Sequence, residues 1–490
     1  MLTLPPQIFA VMKTYAPYLF LILLLLMGCR STSHLDDVDV GQSLVLTEGA
    51  PEFVVSAEGT YSQEGSPFVR TTVEISKSSL IFRTREDNPE ASITVRYEFR
   101  PVVDGKTQNL MIAEDFNYLI DGDPDLVVQT FERLRFSEQF DIEPGEYIIQ
   151  ATVTDRNSDK SFTRSTRTAL PDVDEMAGSI TSINLLGTGS DGELHSIGTY
   201  DVQSVSDSLR FRFFITRSQD DDPVYAHLRL LQFESDHQPA RQMSDRNLPG
   251  NSIRVRGINY GRYEVLREQV RFFETEFGAI EIEFNIEAPE TGSYRFEIFT
   301  SNSGDADPTE SISYRARDFG MRPPHFPEIA SARELAEPLV YLMTRSEHRR
   351  LMAIEDEKEL QRAVDLFWLE NLETSDLARE VMALYYERVV EANKQFSNYK
   401  AGWKTDLGMI YILFGPPWYE DIFGPYVRWV YGFNKNDPYR VFEFDRTRIG
   451  NDRFPFNNYT MRRQTFYHAV HHDRKREWLN GFVLRRPFGG

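Results

Sequence analysis

The sequence predicts a multidomain chain in which two all-β sandwiches precede an α-helical segment and a small α+β domain. Three observations support this fold class. Apolar and polar residues alternate from about residue 50 to 320, a strand–glycine–tyrosine pattern occurs twice, and a helical period begins near residue 330. The 490 residues allow several cores, and 41% hydrophobic residues exclude a wholly disordered chain. We expect domains at 49–172, 173–322 and 323–490.

The N-terminus carries a short apolar run that ends at the only cysteine of the chain. Lys13 precedes the run at 18–27, and Gly28-Cys29 follows it. The run is shorter than the roughly 20 apolar residues typical of a membrane-spanning helix, and it fits a secretory signal. Its end resembles a bacterial lipobox, which implies a lipid on Cys29 that attaches the protein to a membrane. We therefore predict a lipoprotein signal peptide at 1–28 and a polar tether at 29–48. An ordinary secretory signal or a simple membrane anchor is the alternative.

Charge divides the chain into two parts. The formal net charge is −21, which argues against a nucleic-acid partner because phosphates bind basic faces. Residues 30–324 contain 29 basic and 51 acidic side chains, whereas residues 325–490 contain 24 of each. The mean hydropathy of −0.43 excludes a polytopic membrane protein. Arg30 follows Cys29, which favours the outer membrane under the enteric sorting rule, without indicating which side of it the protein faces.

Alternation predicts half-buried strands in both β regions. The inward positions are Ile93, Val95, Tyr97 and Phe99; Leu209, Phe211, Phe213 and Ile215; and Ile280, Ile282, Phe284 and Ile286. Arg210 and Arg212 are expected to face outward. Tyr147 and Tyr294 each open a strand after a glycine turn, which resembles the late strands of immunoglobulin-like sandwiches, where a corner tyrosine bonds back to the backbone. We therefore expect two immunoglobulin-like sandwiches with these two corner tyrosines.

The segment 330–393 has a helical period. Leu335, Leu339 and Leu342 share one face, and Thr374 or Ser375 is expected to cap a later helix.

A compact motif follows the helical segment. Its residues are Gly402, Trp403, Lys404, Thr405, Asp406, Gly408, Tyr411, Gly415, Pro416, Pro417 and, downstream, Trp429. This pattern resembles the GWxTD domain of bacterial envelope proteins, over about residues 325–460. Leu407 departs from the arginine expected after the aspartate. The resemblance implies no established biochemical activity.

The motif residues allow three interpretations. Residues 409–414 are predicted to form a strand that Gly415-Pro416-Pro417 ends, so the motif could lock the helices onto a small sheet. Alternatively, Trp403, Asp406 and Trp429 could line a ligand cleft. The third interpretation is catalysis, in which Asp406 acts with a second carboxylate such as Glu443 in a hydrolase of envelope polymers.

Metal-binding patterns are weak. His468 and His472 would share one helical face, as in zinc sites, although the glutamate of H-E-x-x-H enzymes is missing. Aspartates at 121, 123 and 125, at 220–222, and at 305 and 307 could bind Ca²⁺, but solvated turns explain them as well. The sequence has no Gly-rich phosphate loop, G-x-S-x-G elbow or cysteine nucleophile, and we predict no cofactor.

These observations favour a non-catalytic envelope lipoprotein. The two sandwiches would act as an anchored spacer or scaffold, and the C-terminal domain would dock a protein or a glycan. The alternatives are the hydrolase and a metal-binding envelope protein.

Overall fold

The computed structural model describes most of the chain beyond its first 36 residues. The described residues are 37–43, 50–62, 64–85, 88–122, 133–174, 177–189, 192–203, 208–449, 454 and 456–485. Strands make up 44% and helices 23%, and most of the helical residues lie in the C-terminal region. Within these residues no helix has both the length and the apolarity needed to cross a membrane. Cys29, the predicted lipidation site, lies outside them.

The first β domain packs a three-stranded sheet against a larger one, and a short strand precedes it. The strands are β1 (Val38–Asp39), β2 (Phe53–Tyr61), β3 (Pro67–Ser76), β4 (Arg83–Arg85), β5 (Asn88–Val103), β6 (Lys106–Thr107), β7 (Ile112–Asp121), β8 (Arg133–Asp141), β9 (Gly145–Asp155) and β10 (Lys160–Leu170). One sheet has the order β2-β3-β8 and the other β10-β9-β5-β7, with β4 and β6 also paired with β5. The alternation predicted for β5 is confirmed, because Ile93, Val95, Tyr97 and Phe99 are buried.

The second β domain also has two sheets. Its elements are β11 (Ser179–Ile180), β12 (Asn184–Thr188), β13 (Leu194–Ser196), β14 (Asp201–Val202), β15 (Ser208–Arg217), β16 (Val224–Ser235), α1 (Ile253–Arg256), β17 (Ile258–Phe273), β18 (Gly278–Glu287), β19 (Gly292–Ser301) and β20 (Ser313–Met321). One sheet has the order β1-β20-β19-β16-β17, with β14 on β20. The other has β11-β15-β12-β13, with β18 on β15. Strand β1 therefore belongs to the second domain, although it precedes the first.

The two β domains repeat one topology. The order β10-β9-β5-β7 of the first domain recurs as β20-β19-β16-β17, and β2-β3-β8 recurs as β12-β15-β18. The hydroxyl of Tyr147 donates to the Glu143 carbonyl at 2.7 Å, and that of Tyr294 donates to the Glu290 carbonyl at 2.8 Å. Both tyrosines thus make the predicted bond to the backbone, each four residues upstream. The internal repeat in the sequence corresponds to a repeat of structure.

The two β domains also contact each other directly. The prediction that Arg212 faces solvent is wrong, because its guanidinium pairs with Glu58 of the first domain at 2.9 Å. Beside this pair, the ring centroids of Tyr61 and Phe214 are 5.8 Å apart. The polar face of β15 is therefore an interface between domains, which alternation within one strand cannot distinguish from a solvated face.

The C-terminal region confirms the predicted helical segment and adds a four-stranded sheet. Its elements are α2 (Ala332–Ala336), α3 (Arg345–Met352), α4 (Glu357–Asn371), α5 (Ser375–Phe396), α6 (Asp406–Phe414), β21 (Tyr419–Ile422), β22 (Tyr426–Val430), β23 (Val441–Thr447), β24 (Asn458–Met461) and α7 (Tyr467–Leu479). Thr374 caps α5 by accepting from the Leu377 amide. The sheet runs β21-β22-β23-β24, each pair antiparallel.

The strand predicted at 409–414 is wrong, because these residues form most of helix α6. Thr405 caps the helix, and Gly415, with φ +81°, ends it. The helix is buried nearly all round, so its sequence shows no helical period, and a short apolar run does not separate strand from helix. The capping Thr405 is the local signal that favours a helix.

Candidate functional site

The motif at 402–406 forms the corner between helices α5 and α6. Residues 402–404 make a single 3₁₀ turn, and Thr405 connects it to α6. The Thr405 hydroxyl donates to the Gly402 carbonyl at 2.7 Å and accepts from the Gly408 amide at 3.0 Å. One buried hydroxyl therefore closes the turn and caps the helix.

Two glycines allow the backbone segments to meet at this corner. A Cβ atom on Gly402 would lie 1.8 Å from the Ala392 carbonyl oxygen of α5. A Cβ atom on Gly408 would lie 2.0 Å from the Gly402 carbonyl oxygen. Neither position accepts a side chain unless the backbone moves, since real Cβ atoms do not approach so closely.

Trp403 is an internal anchor of the C-terminal region. Its amide donates to the Asn393 side chain at 3.2 Å, and its carbonyl accepts from the Tyr341 hydroxyl at 2.8 Å. The Lys404 ammonium lies 5.1 Å from the centre of the buried indole. The side chain also lines a cavity of about 510 Å³ that extends to His237 of the second β domain.

Trp429 and the remaining motif residues pack on the other side of the corner. The Trp429 indole N–H donates to Glu420 at 2.9 Å, and its ring packs on Phe396 at 5.4 Å. Tyr411 contacts the same Phe396 ring at 5.4 Å. Gly415 is buried, and its carbonyl accepts from a tyrosine hydroxyl. The next two residues, Pro416 and Pro417, are half-buried.

Asp406 is the counter-ion of a buried arginine. Its carboxylate oxygens accept from the Arg463 guanidinium at 2.6 and 3.0 Å and from the Met461 amide at 2.8 Å. The Arg463 side chain is only 3% exposed. The carboxylate of Asp406 therefore compensates a buried charge and holds the end of β24 against α6.

Arg463 connects this corner to the second β domain. Its guanidinium also donates to the carbonyls of Arg241 and Gln242, at 3.3 and 3.2 Å. Its backbone amide and carbonyl both pair with the side chain of Asn247, at 2.9 and 3.1 Å. A loop of the second β domain is therefore held through the arginine that Asp406 neutralises.

A second buried ionic cluster lies beside the first. Asp236 of the second β domain accepts from the Lys400 ammonium at 2.8 Å and from Arg254 at 3.1 Å. Burial lowers the pKa of Lys400, and the attraction of Asp236 opposes this shift. Asn458 of β24 adds a bond to the Val255 carbonyl at 2.9 Å. The two clusters join the C-terminal region to the second β domain, and the charged groups at their centres, on Arg463, Lys400 and Asp236, are buried.

Both clusters line a cleft of about 400 Å³, which we call the junction cleft. Asp406 lines it, whereas Trp403 lines the other cavity and Trp429 lines neither. Glu443 does not line the junction cleft: it pairs with Arg428 at 2.7 Å and with Arg462. Burial raises the pKa of Glu443, but these two arginines together hold it below its usual value. The structure thus gives the two carboxylates of the hydrolase hypothesis different surroundings, each with arginine partners.

The histidines of the tail lie on α7. His468 and His472 are exposed on it, while His471 points inward and its ring nitrogen bonds the Tyr341 carbonyl at 3.0 Å. Burial lowers the pKa of His471. In the part of the chain that the structure describes, no three His, Cys, Asp or Glu side chains are grouped for a metal ion.

The acidic loops have local roles where the structure describes them. Asp307 caps a 3₁₀ turn by accepting from the Thr309 amide at 2.8 Å, and Asp221 accepts from the Ser218 amide. Two further aspartates of the calcium hypothesis lie outside the described residues: Asp123 and Asp125.

Sequence reasoning missed the residues that join the domains. Lys400 lies only two residues before Gly402, and Arg463 lies in a basic stretch that resembles a solvated surface. Their partners are far away in sequence, since Asp236 is 164 residues from Lys400. The one available signal was the proximity of Lys400 to the motif.

Comparisons with known proteins identify the C-terminal region. Residues 308–480 match the model of the GWxTD domain. No curated protein matches the chain. Among solved structures, red sea bream transglutaminase is 7% identical with a TM-score of 0.19, over 55% of this chain and 31% of the transglutaminase.

Two further solved structures are similar at the same low level. A Salmonella alpha-2-macroglobulin mutant is 10% identical with a TM-score of 0.17, over 55% of this chain and 16% of its own. Fibronectin(III)-like modules of Clostridium thermocellum CbhA are 10% identical with a TM-score of 0.13, over 56% of this chain and 98% of their own. The chain spans less than a third of the first two proteins, and TM-scores this low do not establish a shared fold.

Proposed function

We propose that this GWxTD domain-containing protein is an envelope lipoprotein, attached through Cys29, that acts as a rigid scaffold. Two immunoglobulin-like sandwiches serve as the spacer, and the GWxTD domain docks a protein or glycan partner of the envelope. One observation carries the proposal: the polar groups of the motif are used to fasten the domain, with Asp406 on Arg463 and Thr405 on the turn. Such a motif supports rigid presentation of a surface better than chemistry at an open site.

The repeated topology supports the spacer role. Each β domain combines a three-strand unit with a four-strand unit, and each has a corner tyrosine that bonds back to the backbone. These features are typical of immunoglobulin-like sandwiches. An ion pair lies at each domain junction, Arg212 with Glu58 and the buried Lys400 with Asp236, and such pairs favour a stiff chain over domains that move independently.

The sheet of the GWxTD domain offers a docking surface, which we call the β21 strip. It combines an edge strand with exposed apolar side chains near both of its ends: Ile422 is 73% exposed and Phe433 is 89% exposed. Trp418 contacts the Phe433 ring at 4.9 Å, and the Lys435 ammonium lies 4.7 Å from the Tyr419 ring. Clustered exposed apolar side chains mark interaction sites on soluble domains.

A pull-down from detergent-solubilised envelopes tests the docking role. The double variant Ile422→Ser/Phe433→Ser should lose the partner that the wild-type protein retains. The matched control is Leu366→Ser, which removes an apolar side chain that is 53% exposed on helix α4. Retention of every partner by the double variant would refute docking through the β21 strip.

Fractionation tests the attachment separately. Cys29→Ser should move the protein from the membrane fraction to the soluble fraction and abolish incorporation of a labelled fatty acid. A Cys29→Ser protein that stays in the membrane fraction would contradict the lipid anchor.

A further inference from the structure

The described residues that precede the first β domain lie against both β domains. We call residues 37–42 the N-terminal strap. Its strand β1 pairs in parallel with β20, with Val38 opposite Ala316 and Asp39 opposite Arg317. The Gln42 amide then donates to the Gly198 carbonyl at 2.9 Å. The strap backbone is therefore built into the second domain rather than the first, which follows it in sequence.

The side chain of Gln42 reaches the first domain. Its amide nitrogen donates to the Ser165 carbonyl at 2.9 Å, and its amide oxygen accepts from the Val55 backbone amide at 3.2 Å. Ser165 belongs to β10 and Val55 to β2, so the amide bonds one strand of each sheet of that domain. Gln42 thus bonds the second domain with its backbone and the first with its side chain.

Ion pairs extend the same connection. Asp37 pairs with Arg315 of β20, and Arg315 also pairs with Glu146 of the first domain at 3.3 Å. One guanidinium therefore holds the strap and both β domains together.

Asp39 compensates a buried charge. The Arg317 side chain is 1% exposed, and its guanidinium lies 3.2 Å from the Asp39 carboxylate. The same guanidinium donates to the carbonyls of Ile197 and Thr199, both at 2.9 Å. A buried charge that loses its partner costs free energy, so release of the strap would destabilise the buried Arg317 guanidinium.

Apolar contacts complete the strap. Val38 and Val40 are buried in a small core together with Phe299, Tyr314 and Ala316 of the second domain.

We propose that the N-terminal strap is a clamp that holds the two β domains in one relative orientation. It couples them because its backbone, its carboxylates and the Gln42 amide bind across their junction at once. The chain upstream leads to Cys29, so the clamp is the first described element that a force on the anchor would reach. The clamp requires neither the lipid nor a docking partner, so its test is independent of the proposed function.

Hydrogen exchange read by mass spectrometry on the full chain tests the clamp. Gln42→Ala removes both side-chain bonds to the first domain, and Asp39→Ala removes the counter-ion of Arg317. We expect exchange at least about tenfold faster in peptides covering 53–57, 165–170 and 196–202, because local opening governs exchange there. Peptides from the centre of β5 and from α6 should keep their wild-type exchange. The matched control is Asp141→Ala, which removes an exposed carboxylate at the end of β8.

Two outcomes would overturn the clamp. Unchanged exchange at the junction in both variants means that the strap does not hold the domains. Faster exchange throughout the cores in Gln42→Ala means that the residue contributes to general stability rather than to orientation. Because Gln42→Ala leaves the buried charge intact, it remains informative even if Asp39→Ala does not fold.

Discussion

Removal of the Asp406 carboxylate should destabilise the GWxTD domain strongly. In Asp406→Ala the Arg463 guanidinium, 3% exposed, loses its counter-ion, and the Met461 amide loses its acceptor. Breaking a buried ion pair from one side costs about 3–5 kcal/mol. We expect the free energy of unfolding of this domain to fall by about that amount at pH 7. Asp406→Asn should cost less, because its amide oxygen can still accept from Met461.

Tryptophan fluorescence during urea unfolding measures this loss selectively. All five tryptophans lie in the C-terminal region, at positions 368, 403, 418, 429 and 478. The matched control is Asp376→Ala, which removes an aspartate paired with Arg379 at 3.4 Å, with both side chains about 80% exposed. Exposed pairs contribute little, so the control should unfold almost as the wild-type protein does. An Asp406→Ala loss below about 1 kcal/mol would refute the counter-ion role of Asp406.

Three further predictions follow from local geometry. Gly402→Ala should prevent native folding of the GWxTD domain, because the added Cβ would clash with the Ala392 carbonyl oxygen. The control Gly424→Ala, whose Cβ would meet open space, should unfold like the wild-type protein in the same urea titration. Burial, together with nearby cations, lowers the pKa of His237 to about 4, so the folded state binds its proton less readily than the unfolded state. Stability should therefore fall as the pH drops from about 6.5 towards 4, and His237→Gln should flatten that part of the stability–pH profile. Tyr294→Phe removes the hydrogen bond to the Glu290 carbonyl and the one accepted from the Gln232 side chain. It should cost about 1–2 kcal/mol, measured by thermal unfolding followed by circular dichroism.

Much of the fold could be predicted from periodicity. Alternation predicts the buried positions of β5, and the resemblance to immunoglobulin-like strands predicts the bonds of Tyr147 and Tyr294 to the backbone. The sequence predicts a strand where α6 lies because a helix buried on all sides has no polar face to reveal its period. Alternation predicts that Arg212 is exposed for a related reason, because the sequence pattern of a polar side chain at a domain interface is the same as that of a solvent-exposed one.

The candidate site was only half visible in the sequence. The motif is evident in the sequence, but Arg463, the partner that gives Asp406 its role, is 57 residues away in a basic stretch. No sequence pattern marks Lys400 or Asp236 as a site residue. Ion pairing depends on distance in space, and local sequence patterns do not reveal which distant charges meet.

Local composition and period are enough to indicate the internal repeat and the boundary between an acidic β part and a neutral helical part. Each of these depends on local composition and period, which neighbouring residues set. The roles of the individual charges depend on the folded structure. It placed Asp406 and Lys400 in a junction between domains, and it folded residues 37–42 back onto β20. Those contacts form because burial makes an unpaired charge costly, and the partner can come from any part of the chain that folding brings near.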